Sequence, residues 1–312
     1  MGDYRKKLMS KNGRTIVALA KEMLSKKIGD RILTVGAYAD QFETGRGTVQ
    51  TAIGFLKDEK AISLESRGHL GTFITSIDYK KLWGIADIGT IMAVMPLPYS
   101  KRYEGLATGL YKTFDEANIP FSLAFMRGAT KRIEALNMGK YNFVIVSKLA
   151  AKLEIRKNND IEIAYEFGEN SYVGNHVLIL KDKDKSEIED GMRVALDPAS
   201  TDQMILTNYE CSQKEVEYVE VSYSQILDKL ANDEIDAAIW NGDEIDEHKL
   251  GLNIRALTNS KTQEASKDDT IAVILTNKKY NEFKDFIKQF LDMQNIEDLQ
   301  QQVMSKEIIP MY

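Results

Sequence analysis

A chain of 312 residues, 43% apolar and 28% charged, has the size and make-up of a soluble globular protein of two domains or one large one. Its five prolines and lack of a low-complexity tract argue against a disordered chain; a single cysteine, Cys211, excludes an intramolecular disulfide framework and fits a reducing compartment. The formal charge of −6 is uneven: residues 1–80 hold 14 basic against 9 acidic side chains (+5), the remainder 27 against 38 (−11). A basic first quarter on an acidic remainder is what a nucleic-acid-binding head on a non-binding body would show.

The N-terminus, Met1-Gly2-Asp3-Tyr4-Arg5-Lys6-Lys7, leads into a polar amphipathic segment rather than a signal-peptide core. The longest uncharged apolar window, Ile88 to Ser100, has 13 residues and two prolines, too short to span a bilayer. A cytoplasmic chain with no membrane partner is expected.

In chain order, Ile16, Leu19, Ala20, Met23 and Leu24 recur at helical spacing and predict an amphipathic helix over 12–27, closed by Gly29-Asp30. A shorter helix follows over about 35–42, with Ala39 and Phe42 facing inward. Thr44 is a candidate N-cap for a third helix over about 45–58, whose buried stripe is Val49, Ala52, Ile53 and Leu56. That leaves Arg46, Gly47, Thr48 and Gln50 facing outward near its start. Ala61–Glu65 and Leu70–Thr75 alternate like strands around the turn Ser66-Arg67-Gly68-His69. Three helices and a two-stranded wing make a winged helix-turn-helix.

The frame Gly29-Asp30-Arg31-Ile32, Tyr38-Ala39-Asp40-Gln41-Phe42, Arg46-Gly47-Thr48-Val49, Ala52-Ile53, Leu56, Ala61-Ile62 and Gly71-Thr72-Phe73 resembles the winged-helix heads of the GntR family. Arg46-Gly47-Thr48-Val49-Gln50 and Glu65 to Phe73 look most like its YhfZ-type branch. Two departures stand out: Thr34-Val35-Gly36-Ala37 replaces the usual acidic residue and Arg, and Gly45 replaces a common Ser. The resemblance implies double-stranded DNA as a partner. Arg46 would read a base edge or meet phosphate, Thr48 and Gln50 would add contacts, and Gly47 would let the backbone approach. Arg67, Gly68 and His69 on the wing would meet phosphate or the minor groove. Since one winged helix reads few base pairs, a homodimer is expected.

Beyond Asp78 strands alternate with helices, implying parallel sheets in two α/β lobes. Strands are expected at Thr90–Met95, Phe121–Phe125, Asn142–Val146, Ile161–Phe167, Val173–Leu180 (as a crossing strand), Arg193–Leu196, Glu217–Val221, Ala237–Trp240 and Thr270–Leu275. Helices are expected near 101–117, 128–138, 147–155, 200–209, 222–231, 243–250, 279–293 and 295–306. The domain division is then 1–78 and 79–312. Two half-repeats are read: a strand, Ser147 and a helix, then Arg193–Leu196, Asp197 to Thr201 and a helix.

Arg193-Val194-Ala195-Leu196-Asp197-Pro198-Ala199-Ser200-Thr201 and Leu227–Asn241 are similar to motifs of type II periplasmic-binding proteins, a two-lobed α/β fold whose ligands sit between the lobes. That geometry brings Pro98, Tyr99, Ser100, Arg127, Gly128 and Ser147 from one lobe to the cleft. The other lobe supplies Asp197, Ser200, Thr201, Asn241 and Asp243. Ser200 and Thr201 open a helix and either cap it or hold an anion. Arg127 would pair with an acidic group, whereas Asp197 and Asp243 would grip an amine, so the ligand's charge stays open. No metal spacing, phosphate loop or nucleophile elbow is present, and no cofactor is implied. The reading is a transcriptional regulator that senses a small polar or charged metabolite, not an enzyme. Alternatives are an enzyme, motivated by Asp197 and Asp243, and a ligand-free DNA-binding protein.

Overall fold

The computed structural model describes residues 8–243, 252–280, 284, 286–288 and 291–312. Contacts divide the chain into two compact units: residues 1–91 with 114–120, and residues 92–113 with 121–312.

In the first unit, helix α1 (Lys11–Leu24) starts at Ser10, whose hydroxyl accepts from the Gly13 amide at 3.1 Å. It stops before the expected end because Ser25 folds its amide and hydroxyl back onto the Glu22 carbonyl. Helix α2 (Val35–Gln41) is capped by Thr34. Its innermost side chain is the fully buried Tyr38, which stacks on Phe42 at 5.5 Å; Phe42, expected inside, is only half-buried. Helix α3 (Arg46–Asp58) buries Val49, Ala52 and Leu56, with Ile53 partly covered. Its N-cap is Gly45, not Thr44. Glu43 turns left-handed at φ 50° and the Thr44 amide donates to the Ala39 carbonyl, so Thr44 closes the preceding helix and cannot open the next.

The wing pairs β1 (Ile62–Ser66) with β2 (Thr72–Ile77) antiparallel, Ser66 opposite Thr72. Gly68 (φ 60°) and Gly71 (φ 103°) make the tight turn, and a Cβ at Gly71 would collide with the Arg31 side chain. From β2 the chain passes through Asp78, an N-cap, directly into α4 (Tyr79–Ile85), a helix the sequence pattern did not reveal. It packs on α1 with Leu82 and Trp83 buried, and the Tyr79 hydroxyl donates to the Lys26 carbonyl at 2.8 Å.

The second unit holds two five-stranded sheets. The elements are β3 (Ile91–Met95), α5 (Lys101–Glu116), β4 (Phe121–Phe125), α6 (Ala129–Asn137), β5 (Phe143–Ser147), α7 (Lys148–Lys157) and β6 (Ile161–Glu166). They continue with β7 (His176–Leu180), β8 (Arg193–Leu196), α8 (Thr201–Glu210), β9 (Glu217–Glu220), α9 (Ile226–Ala231) and β10 (Ala237–Asn241). Beyond these lie β11 (Asn253–Ala256), α10 (Ser260–Asp269), β12 (Ala272–Asn277) and α11 (Met293–Met304). Strand order is β4-β3-β5-β12-β6 in one lobe and β9-β8-β10-β7-β11 in the other, the same pattern twice.

The sheets are mixed, not purely parallel. β12 runs antiparallel between β5 and β6, and β7 antiparallel between β10 and β11, because each crosses from the other lobe. The pattern also shifts the half-repeats. Ser147 ends the third strand of its lobe and matches Asn241, whereas Asp197 follows a first strand and matches Pro96. The strand β11 and helix α10 had no signal in the sequence reading. The expected helix over 243–250 falls almost wholly outside the described residues. In the expected 279–293 helix, Phe283 and Phe290 also lie outside them, while Phe286, Ile287 and Leu291 are buried.

Gly105 and Gly109 let α5 lie directly on α11. A Cβ at Gly109 would stand 2.6 Å from the Ile296 carbonyl oxygen, and one at Gly105 2.8 Å from that of Gln300. Backbone cannot yield as a side-chain tip can. Gly109→Ala is therefore expected to destabilise the fold by about 1–3 kcal/mol, read as a lower urea midpoint at unchanged m-value, despite the better helix propensity of Ala.

Candidate functional site

On the first unit, the start of α3 presents Arg46, Gly47 and Gln50 to solvent, with Thr48 half-buried and Val49 anchoring the turn from beneath. The Arg46 guanidinium lies over Gly36 at the start of α2, where a Cβ would come within 3.5 Å of Nη2. Arg67 projects from the wing. Its Nε donates to Glu65 Oε2 at 2.8 Å, and its guanidinium sits 4.9 Å from the centre of the Phe73 ring. Gly68 and His69 are exposed at the turn. Arg46 and Arg67 are thus cations on an exposed helix start and an exposed hairpin.

In the second unit, residues following the strand ends of both lobes converge on one cavity of about 80 Å³. Of the sequence candidates, Tyr99, Arg127, Asp197, Ser200, Thr201 and Asn241 line it, with Gly128 beside them. Ser100, Ser147 and Asp243 do not. Ser100 is buried at the start of α5, and Asp243 forms a two-point ion pair with Arg102 (2.9 and 3.1 Å) while accepting from the Gly174 amide. Ser147 acts from behind the wall: its hydroxyl donates to Asp202 Oδ1 at 2.7 Å and accepts from the Ala150 amide.

These contacts draw the lobes together. Arg127, after β4, donates to Asp197 Oδ2 and to the Ser222 hydroxyl, both at 2.6 Å, across the cleft. Asp197 is then fully used: Oδ2 also accepts from the Tyr223 amide, and Oδ1 from Ala199. Gly128, at φ 86°, brings its backbone against the Ala199 carbonyl, where a Cβ would sit 2.9 Å from the oxygen.

The cavity also takes in residues the sequence reading passed over: Tyr103, Arg132, Tyr172, His176, Asp202 and Tyr223. Arg132, 3% exposed, gives its guanidinium to the Met126 and Ile145 carbonyls and the Tyr172 hydroxyl. His176 Nδ1 stands 2.9 Å from Asp269 Oδ2, an ion-pair distance without hydrogen-bond alignment. Burial pulls His176 toward neutrality, but the charges of Asp269, Asp202 and Asp243 outweigh it and raise its pKa. Burial, then the Asp269 charge, push Asp202 up to about 7, against the pull of the Ser147 hydroxyl, His176 and Arg132. Asp202 had a signal, since it follows Ser200-Thr201 on the first turn of a predicted helix. There an acid reads as ordinary support for the helix dipole. Among the described residues no group of three or more His, Cys, Asp or Glu is placed to hold a metal ion.

Residues 78–312 match the YhfZ C-terminal domain, and residues 27–74 a helix-turn-helix domain. The chain is 35% identical to YhfZ of Escherichia coli (strain K12) over 309 residues, 99% of this chain and 100% of that one. The chain belongs to the YhfZ family. Within this family, the crystal structure of YhfZ from Shigella flexneri is 37% identical and covers 75% of this chain and 97% of its own, with a TM-score of 0.62. The periplasmic aliphatic sulphonate binding protein SsuA from Escherichia coli superposes with a TM-score of 0.52 at 14% identity, covering 70% of this chain and 75% of its own. That likeness is one of fold. The protein therefore joins a helix-turn-helix region to a two-sheet domain resembling periplasmic substrate-binding proteins. Among the described residues no helix is long and apolar enough to cross a membrane.

Asp202 makes the electrostatics of the cavity testable. In the unfolded chain it ionises near pH 3.9, whereas in the fold it keeps its proton to about pH 7. The folded state thus binds more protons between these values, and this group's contribution to stability falls as pH rises through them. An Asn at this position still accepts from Ser147 and carries no charge. Asp202→Asn is expected to stabilise the protein at pH 8 by up to about 4 kcal/mol, with the gain fading toward pH 4. Paired urea melts across that range measure it.

Proposed function

We propose that this chain is a DNA-binding transcriptional regulator whose second domain senses a small metabolite between its lobes. The observation that carries the reading is the joining of a helix-turn-helix region to a cavity lined from both lobes, closed by the Arg127–Asp197 and Ser147–Asp202 bridges. The structural neighbour is named as a binding protein, for aliphatic sulphonates, which supports a ligand role for this domain. We assign the head to the GntR type of winged helix, set its boundary at residues 78/79, and place the protein in the cytoplasm as a homodimer over paired half-sites. Arg46, Gly47, Thr48 and Gln50 are assigned to the groove, and Arg67, Gly68 and His69 to the flanking phosphates. The enzyme alternative rested on Asp197 and Asp243. Both are engaged in hydrogen bonds and ion pairs, which supports the sensor reading over that alternative.

Ligand closure would couple to DNA through the stretch from β2 into α4, which carries no proline or glycine between Ser76 and Leu82. A ligand that prefers the closed lobes shifts the population toward closure.

Arg46→Ala is expected to weaken operator binding by about 1–3 kcal/mol and to relax base preference. Arg67→Ala should weaken all sequences alike and flatten the salt dependence. Fluorescence anisotropy on the operator and on scrambled duplexes, with stoichiometry read as two chains per site, distinguishes these.

The regulatory link has its own measurement. Operator DNA must change ligand affinity by the factor by which ligand changes DNA affinity. Ligand titrations with and without operator are expected to differ; identical affinities would leave a binding domain without a switch.

A further inference from the structure

The charges around the cavity are not evenly used. Both guanidinium groups already have partners: Arg127 holds Asp197 and Ser222 through its two terminal nitrogens, leaving only its buried Nε without a partner among the described residues, and Arg132 holds two carbonyls and a phenol. Asp202 differs. It is 7% exposed, lines the cavity, and accepts one hydrogen bond, from Ser147 to Oδ1; its other oxygen receives none among the described residues. Behind it lies Asp269, fully buried, with His176 at ion-pair distance but neither oxygen in an aligned hydrogen bond among the described residues. A buried carboxylate oxygen without a donor is costly, and a second acid beside it adds repulsion.

The groups facing Asp202 are Ser147 at the start of α7, Arg132 on α6, Tyr103 on α5, Tyr172 before β7, His176 on β7 and Asp269 at the end of α10. Arg132 is the cation among them and His176 an imidazole whose pKa is raised by the surrounding acids, and each is turned to another partner. The remaining walls include Tyr99, Tyr103, Tyr172 and Tyr223, and electron-rich rings attract a cation. An anion entering here would meet the free oxygen of Asp202 and two guanidinium groups already engaged.

We propose that the cleft binds a small protonated amine, amino acids included, whose ammonium donates to Asp202 among the tyrosines. This rests on the reading of the cleft as a sensor site and names the chemistry it senses. The cavity is far below the 300–1,000 Å³ or so of a drug-sized pocket, which fits a compact metabolite. Because Asp202 must be ionised to hold the ammonium and is pushed up to about 7, amine affinity falls as the solution is acidified.

The test is isothermal titration of the full chain at pH 8 and pH 6 with four sets of probes. These are amines without an acid (ethanolamine, 1,3-diaminopropane), amino acids (the proteinogenic set and 4-aminobutyrate), acids without an amine (acetate, ethanesulfonate), and neutral ethylene glycol. The first two sets separate a plain amine from an amino acid as the source of the ammonium. At least one amine is expected to bind, about tenfold more weakly at pH 6, and Asp202→Asn, shown folded by circular dichroism, should weaken it at least tenfold. Binding confined to the acids or the diol would overturn the proposal while keeping the sensor reading. Amine binding that Asp202→Asn leaves unchanged would overturn it too. Binding by no probe at all would remove the sensor reading itself.

Discussion

In each sheet of the second unit, the strand next to one edge comes from the chain's passage through the other lobe: β12 sits between β5 and β6, and β7 between β10 and β11. Neither sheet is complete until the chain has visited both. Two crossing segments must therefore run between the lobes at one edge of the cleft. Those segments deliver Tyr172, His176 and Asp269, which no single lobe would place together. The strand exchange that builds the two sheets thus also builds the charged back wall of the cavity.

Polar bridges span the cleft. Arg127 reaches Asp197 and Ser222, Ser147 reaches Asp202, and Arg102 reaches Asp243. Such pairs lose hydration on forming and return little net stability when buried. Their geometry is nonetheless exacting, and each partner can return to water when the lobes part. A cleft closed this way suits reversible opening better than an apolar seam would, and it leaves the decision between states to whatever occupies the cavity.

The sequence carried the order of elements well where periodicity was strong. The buried stripe of α3, the wing, and the strand ends at Phe121–Phe125 and Arg193–Leu196 are all placed by spacing alone. It misled where a residue's backbone was claimed by a neighbour: Thr44 looks like a cap but is held by Ala39. It was silent on α10, whose residues are almost all polar, and on β11, which is four residues long. In the site, rules about strand ends found Arg127 and Asp197. They could not find Arg132, whose partners are two carbonyls and a phenol, nor the pairing of His176 with Asp269 across 92 intervening positions of chain. Tertiary contacts between distant polar residues leave no local pattern to read.

The wing arginine shows how much can be settled before any partner arrives. Arg67 is clamped by Glu65 on one side and lies over the Phe73 ring, although half of its side chain remains open to solvent. A free arginine loses rotamer entropy of about 1.5–2 kcal/mol when it is fixed on a surface. Here much of that loss is incurred when the hairpin folds. The guanidinium meets an incoming anion already ordered, so less of the favourable contact is cancelled by the immobilisation of the side chain.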